Sequence, residues 1–446
     1  MRITSLRLKG IGPFEDTTIT FPAGRNPELA DVYLLVGKNG CGKTTALQAL
    51  ASALQSAPGV AERSIEDRFR PGLSAVVATG QHGSRTDLTW GLIAESGLSI
   101  EEVAPKGATF GLQQGAGGTN RTYFFGPSAP TPWQTWRESS HDVRLEWAAF
   151  AYAGTRRLAN VKVTSVYVAP QGSRRHPNLH FATSGDPQTL VQWAANQTYQ
   201  RLLAREEGNE VVEQAAAESV ARIERTISEI IKAPFAFRSS LKDVNVRASV
   251  NGVVTEIDLL PEGLKSIVSW LGDLLMNLDG IEWVNPGPIG SREFLLLLDE
   301  VDVHLHPEWQ RQILPVVQRT FPKAQIIATT HSPFVVASLR DGAVIELKVD
   351  DQGIATASRP VEAPFYKSYS QTLASLFGVE TDFDLETEQE LRRFQEAGRA
   401  IGPGDVEGWK RFEDLGRVLG GRSDELAAIV RFEINQARRR GGLTGS

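Results

Sequence analysis

An α/β fold, in which a mixed sheet with an antiparallel lobe carries a helical insertion and a helical C-terminal tail, follows from three stretches of this 446-residue chain. The first begins with Val32-Tyr33-Leu34-Leu35-Val36, a β-branched and apolar run short enough for a buried strand. The loop Gly37-Lys38-Asn39-Gly40-Cys41-Gly42-Lys43-Thr44-Thr45 follows, and then Leu47, Leu50, Ala51 and Leu54 at helical spacing. The second stretch, Phe294-Leu295-Leu296-Leu297-Leu298, is apolar without alternation, which suits the centre of a parallel sheet, and it ends in Asp299-Glu300. The third, residues 188–232, is rich in Ala, Glu, Gln and Leu and bracketed by Pro187 and Pro234, so it predicts helix.

The remaining elements can be taken in order. Residues 2–21 alternate apolar and polar side chains around Gly10 and Gly12-Pro13, which predicts two short strands and a turn. The helix after the glycine loop is expected to reach about Ala57. Leu73 to Val77 and Leu88 to Ile93 read as antiparallel strands. Residues 107–132 are loop-rich, and the glycines of 115–118 read as a surface loop because no Lys-Ser/Thr follows them. Val244, Val246, Ala248 and Val250 have the period of a half-buried strand, Asn251-Gly252 is a two-residue hairpin signal, and Val253 to Leu259 supplies the partner strand. A helix is expected from Pro261 to about Leu278, a strand at Ile326 to His331, and a hairpin between Gly342 and Ala357. Beyond Glu380, charged helices carry apolar residues at helical spacing, among them Leu391, Phe394, Leu419, Leu426 and Val430. A purely solvating tail has no need of these positions, so that face is expected to pack on the rest of the chain or to dock a partner. The boundaries drawn are 1–160 for an N-terminal lobe with the glycine loop, 161–260 for a helical and β insertion, 261–380 for a C-terminal lobe, and 381–446 for a helical tail.

Composition narrows the class. A net charge of −6 argues against a uniformly basic nucleic-acid binder, though not against a local basic patch such as Arg174-Arg175-His176 or Arg438-Arg439-Arg440. A single cysteine, Cys41, excludes an intramolecular disulfide framework and a cysteine-rich zinc site. The first residues are interrupted by charge too often for a signal peptide, and no stretch approaches the roughly 20 apolar residues that span a bilayer. A cytoplasmic protein with no membrane partner is the expectation.

The chemistry sits in the loop and at two strand ends. Gly37-x-x-x-x-Gly42-Lys43-Thr44 lies between a strand and a helix, the context in which backbone N–H groups converge on phosphate oxygens at a helix N-terminus. Gly37, Asn39, Gly40, Cys41, Gly42, Lys43, Thr44 and Thr45 are the expected nucleotide contacts. Lys43 reaches the β- and γ-phosphates, and Thr44 binds Mg²⁺. Asp299, at the carboxyl end of a buried strand, is suited to hold Mg²⁺ opposite Thr44, and Glu300 to polarise the water that attacks the γ-phosphate. His331, in Thr329-Thr330-His331-Ser332-Pro333, is placed to sense that phosphate. His304 and His306 resemble a metal pair, but no carboxylate or cysteine set completes it, so they read as structural. A thiol beside Lys43 at a helix N-terminus is expected to react readily, to block ATP binding when alkylated, and to be protected by Mg-ATP.

In order, these motifs resemble the ABC-type ATPases: the glycine loop, Leu260-Pro261-Glu262-Gly263-Leu264-Lys265-Ser266, Leu298-Asp299-Glu300, Asp302, and the Thr329 to Pro333 segment. The Gly12-Pro13-Phe14 turn, Gly37-Lys38-Asn39-Gly40 and the run from Leu298 to Pro307 are similar to the branch holding RecF, the structural-maintenance-of-chromosomes (SMC) proteins and the OLD-family ATPases. The tail resembles stand-alone ATPase subunits of phage-defence operons, the Septu type among them. The resemblance implies a head-to-tail dimer around two ATPs, with Gly263 and Ser266 of one signature segment facing its partner's γ-phosphate. It also implies nucleotide contacts from Asp302 and from Arg156, and a lobe-junction glutamine for which Gln171 is a candidate. The signature has Pro261 where the branch carries serine, which implies weaker closure or slow turnover. About 100 residues separate Arg156 from Pro261, too few for a long coiled-coil arm, so a compact head is implied.

The expected function is thus an ATP-binding, slowly hydrolysing, Mg²⁺-dependent ATPase that dimerises on ATP. It is expected to control an effector nuclease encoded nearby, or DNA recognition, in phage defence. The alternatives are a RecF-like repair ATPase that binds DNA and, behind it, a transporter subunit.

Overall fold

The computed structural model of the chain describes residues 1–54, 68–70, 74–94, 104–114, 120–126, 144–154, 179, 181, 187–239, 246–363, 369–372, 374, 376, 383–402 and 405–440. The chain divides into two units, Met1–Thr372 and Leu373–Ser446.

Among the described residues, the first unit is built on three sheets. Strands β1 (Arg2–Ile11), β2 (Phe14–Thr20), β4 (Ser74–His82), β5 (Arg85–Ala94), β6 (Thr109–Gln114) and β7 (Asn120–Phe125) form an antiparallel sheet, ordered β2-β1-β4-β5-β7-β6. The central sheet holds β3 (Asp31–Val36), β8 (Ala148–Tyr152), β12 (Phe294–Leu298), β13 (Ala324–Thr329), β14 (Ala343–Val349) and β15 (Ala355–Ala357), ordered β15-β14-β3-β13-β12-β8. A short β16 (Val361–Glu362) also pairs with β14. Strands β14, β3, β13, β12 and β8 run parallel. This is why Phe294 to Leu298 and Ala148 to Tyr152 are buried at every position: helices or a second sheet cover both faces.

Helix α1 (Lys43–Leu54) lies between the two large sheets, against β4 and β5 on one side and β12 and β13 on the other. Ten of its twelve residues are buried, so its alanine-rich composition reflects close approach on all sides rather than one apolar stripe. The hydrophobic core fills the same gap, with Leu6, Leu47, Leu50, Trp90 and Leu297 in one cluster and Trp90 edge-on to Trp147 at 6.4 Å.

The predicted helical stretch is two antiparallel helices, α2 (Pro187–Glu206) and α3 (Glu210–Ile231), that turn at Gly208 (φ +68°). Asn209 caps α3 through a bond from the Val212 N–H at 3.2 Å. The pair packs on α4 (Glu262–Gly280) and α5 (Pro307–Thr320), with Arg222 on Asp279 at 3.2 Å and Arg319 on Glu229 at 2.6 Å. The third sheet, β9 (Phe235–Ser239), β10 (Val246–Val250) and β11 (Val253–Glu256), includes the hairpin read at Asn251-Gly252, and both turn residues have positive φ. Its last strand stops at Glu256, because Ile257–Leu259 coils into a 3₁₀ turn leading to α4.

A second correction concerns the loop-rich segment. Thr109–Gln114 and Asn120–Phe125 are paired strands, and residues 115–119 between them, three of them glycines, fall outside the described residues. Glycines at both ends of the segment had masked its β-branched and aromatic content.

The second unit contains α7 (Leu385–Ala400), α8 (Val406–Gly420) and α9 (Asp424–Arg440), packed on one another around Leu391, Phe394, Phe412, Leu419, Leu426, Val430 and Ala437. The apolar tail positions therefore pack against one another within this unit. No helix of the described residues is long and apolar enough to cross a membrane.

Candidate nucleotide site

Parallel pairing assembles this site. Register places Leu298 beside Tyr152 and Ala328, and Thr329 beside Leu35. Four strands thus end at one edge, and their next residues are Gly37, Ala153-Gly154, Asp299-Glu300 and Thr330-His331.

Strand β3 runs into the glycine loop, whose shape is set from behind by the β1–β2 turn. Gly42 (φ +95°) has no room for a Cβ, which would lie 2.6 Å from the Phe14 ring and 2.8 Å from Pro13. Lys38, Asn39 and Gly40 at the loop tip are open to solvent, and nothing stands within 4 Å of where a Gly40 Cβ would be. Lys43 is buried and curls back across the loop, donating to the carbonyls of Gly37 at 2.8 Å and Lys38 at 3.1 Å. Its ammonium is thereby held at the centre of the cradle.

Thr44, in the first turn of α1, meets Asp299 from across the sheet. Its hydroxyl donates to the carboxylate, 3.0 Å from Oδ1 and 2.8 Å from Oδ2. Thr329, fully buried at the end of β13, donates to Asp299 Oδ1 at 2.6 Å and accepts the Glu300 N–H at 2.7 Å. One hydroxyl therefore fixes both acidic residues. Glu300 adopts a left-handed backbone (φ +46°), which turns the chain out of β12.

Asp302 is used differently from the direct contact expected of it. Its Oδ1 accepts from the Thr330 hydroxyl and from the His331 N–H at 3.3 Å, so the carboxylate holds the histidine loop in place. Ser332 caps the following helix α6 (Pro333–Ser338) and donates to Gln310 Oε1 at 2.6 Å. Gln310 in turn donates to the Leu305 carbonyl at 2.9 Å. Much of the His331 surface is open, yet its pKa is lowered, by burial first and by the Lys43 charge next, against the pull of Asp302, Glu300 and Asp299.

Sequence reasoning passed over Thr329, Gln310 and Arg68. Arg68 donates to the Thr45 hydroxyl, its carbonyl accepts the Gly12 N–H at 2.7 Å, and Arg70 donates to the Gly12 carbonyl at 2.8 Å. No local pattern marks Arg68 or Gln310, and Thr329 stands in a segment read from the sequence for His331 alone.

Four expectations need restating. The Cys41 side chain does not line the cradle: it is 1% exposed and packs into the core beneath the loop, 3.8 Å from Lys43 Nζ. Only its backbone is left to face a phosphate. Ser266 is fully buried within α4 and cannot present its hydroxyl to another protomer. Gly263 is buried too, with a Cβ position 2.5 Å from the His304 carbonyl, so the start of α4 abuts the turn after Glu300. Pro261 is the N-cap of α4 and supplies no side-chain cap. The structural reading of His306 agrees with its place, since its Nδ1 caps α5 by accepting the Glu308 N–H at 3.3 Å. Arg156, Gln171 and Arg174-Arg175-His176 lie outside the described residues.

The oxygen donors Thr44 and Asp299 suit a hard divalent cation such as Mg²⁺, and the positive-φ glycine loop with its central lysine suits a polyphosphate.

Comparison with known proteins agrees. Residues 206–337 match a family described as an AAA domain, putative AbiEii toxin, Type IV TA system, and residues 5–74 match a second family described as an AAA domain. The chain is 34% identical over 116 residues to the Septu protein PtuA of Bacillus thuringiensis, covering 26% of this chain and 28% of that one. It is 29% identical over 165 residues to the retron Vc95 probable ATPase of Vibrio cholerae serotype O1 biovar El Tor, covering 35% of this chain and 31% of that one. The matched segments thus span less than a third of either relative. The structure is also similar to the SMC head domain from Thermotoga maritima, with a TM-score of 0.40 and 17% identity, over 81% of this chain and 100% of that domain. The shorter AAA-domain segment contains the glycine loop and the longer one contains the carboxylates and histidine facing it, the two halves of a P-loop ATPase site, and on that ground the chain is an ATPase.

Proposed function

We propose that this chain binds Mg-ATP, hydrolyses it slowly, and pairs with a second copy when ATP is bound, so that closure controls an effector nuclease in phage defence. The observation that supports this most is the meeting of Lys43, Thr44 with Asp299, Glu300 and His331 at one sheet edge. Lys43 neutralises the β- and γ-phosphates, and the backbone N–H groups of the loop and of the first turn of α1 bind their oxygens. When bound between Thr44 and Asp299, Mg²⁺ supplies charge neutralisation for the transferred phosphoryl group. Glu300 accepts a proton from the attacking water, and His331 hydrogen-bonds the γ-phosphate. Slow turnover accords with an α4 start that offers no serine hydroxyl, because Pro261 occupies the cap and Ser266 is buried. Defence as the setting is carried over from the likeness to the Septu and retron relatives, and the nuclease partner encoded nearby is what the sequence resemblance implies.

Two substitutions test the reaction. Lys43→Ala should abolish ATP binding in a fluorescent-nucleotide titration. Glu300→Gln should leave binding intact and slow hydrolysis on the order of 10²–10⁴-fold, the usual worth of a general base. Wild-type turnover by Glu300→Gln removes Glu300 from the mechanism. Co-expression with neighbouring genes tests the partner, and failure of any nuclease to co-purify counts against it.

A further inference from the structure

Gly154 is buried, two residues past Tyr152 and beside the turn that carries Glu300. A Cβ built on Gly154 would stand 2.6 Å from Glu300 Oε2, 2.9 Å from its Cβ and 3.0 Å from its Cδ. The Glu300 side chain therefore lies along the bare backbone of Gly154. Opposite it, the buried Thr329 hydroxyl accepts the Glu300 N–H at 2.7 Å and holds the left-handed backbone of that residue. Glu300 is gripped at its backbone by β13 and seated at its side chain by the end of β8.

We propose that Gly154 is a positioning residue for Glu300, its missing side chain being the space in which the carboxylate is held toward the attacking water. The inference rests on the assignment of Glu300 as the general base. Rotation of the flexible end of the side chain relieves the contact at Oε2, but Glu300 Cβ is fixed to a backbone that Thr329 anchors. A methyl group at 154 must consequently displace the carboxylate. Unlike Gly37, Gly40 and Gly42, Gly154 does not have a positive φ, so alanine there introduces a steric change without the strain of a left-handed backbone. Small displacements of a general base matter because proton transfer needs hydrogen-bond reach.

Gly154→Ala should lower kcat at least tenfold while KM for ATP and nucleotide affinity stay within about twofold, the pattern of a step impaired after binding. The double variant Gly154→Ala/Glu300→Gln should be no slower than Glu300→Gln alone, because a displaced base and an absent one are the same loss. Thermal stability gives a readout independent of turnover. Gly154→Ala should lower Tm in the wild-type background and leave it unchanged in Glu300→Gly, where the obstructing side chain is gone. If Gly154→Ala alone does not fold, recovery of soluble protein in the Glu300→Gly background supports the contact, and no recovery overturns it. Wild-type kcat in Gly154→Ala, or multiplicative losses in the double variant, sinks the proposal while Glu300→Gln remains slow. Normal turnover by Glu300→Gln instead removes the general-base assignment and the proposal with it.

Discussion

The His331 imidazole stands in opposing fields, Lys43 on one side and Asp299, Glu300 and Asp302 on the other, and burial together with the lysine lowers its pKa. The free ring is therefore neutral at pH 7. A bound γ-phosphate favours the imidazolium form and raises that pKa, so nucleotide binding takes up a proton. By linkage, ATP affinity should rise as pH falls through the histidine range and level off once the free ring is itself charged. His331→Gln should flatten this dependence; an ATP Kd that does not change between about pH 5 and pH 8 in the wild type rules the histidine out as a phosphate contact. Cys41 follows the same logic of environment over identity. With 1% of its surface exposed, its thiol should react slowly with a bulky alkylating reagent whether or not Mg-ATP is present. Fast labelling of the folded protein would contradict that placement.

Among elements, β13 serves the site most economically. Thr329→Val keeps the shape but leaves the Glu300 N–H without its acceptor and takes from Asp299 one of its donors, Thr44 remaining. The loss should be about 1–3 kcal/mol in a denaturant melt, the cost of one buried unsatisfied group. ATP turnover should fall with it, and unchanged stability would mean that water replaces the hydroxyl. The helical unit of the tail makes a complementary case. Phe394 and Phe412 are buried and stacked, 4.5 Å between centroids at 11°. Phe→Ala in such a site costs about 3–5 kcal/mol, and a unit this small rarely has more than about 3–5 kcal/mol to lose. Phe412→Ala should therefore melt α7, α8 and α9 together, seen as fast amide exchange across residues 385–440. Protection that survives in any one helix would show that it is held by something else.

For the molecule as a whole, the proposed function demands a second copy, since the resemblance to the ABC-type ATPases implies that the start of α4 faces a nucleotide bound by its partner. Glu300→Gln, which should retain ATP, ought to run as a dimer in light scattering with Mg-ATP and as a smaller species without it. Lys43→Ala should not respond to nucleotide. A mass independent of ATP in both variants would remove closure from the mechanism. Among the described residues of the tail, the large apolar side chains most open to a partner are Val406, Val418 and Phe432, at 81%, 66% and 61% exposure. Deleting residues 381–446 should leave nucleotide binding intact and weaken any complex with the proposed effector.

What the residues announced by themselves was local. A strand, a glycine loop and a helix with Lys43 and Thr44 in consecutive register, an apolar run closed by Asp299 and Glu300, and an Asn-Gly turn each carry their physics within a few residues. The boundaries that failed were also local conflicts. Gly208 splits a helix-rich stretch because a left-handed residue cannot continue a helix, and glycines at both ends of residues 107–126 hid two strands. The rest depended on pairings between segments far apart in the chain. Which strand lies beside β12 is decided by packing over the whole sheet, and that choice brings Gly154 to Glu300, and Thr329 to Asp299. Burial of Cys41 and Ser266, and the meeting of the tail helices with one another, were settled in the same way. Side-chain type states what a residue is able to do, but only the folded chain states which way it faces and whether water or a ligand reaches it.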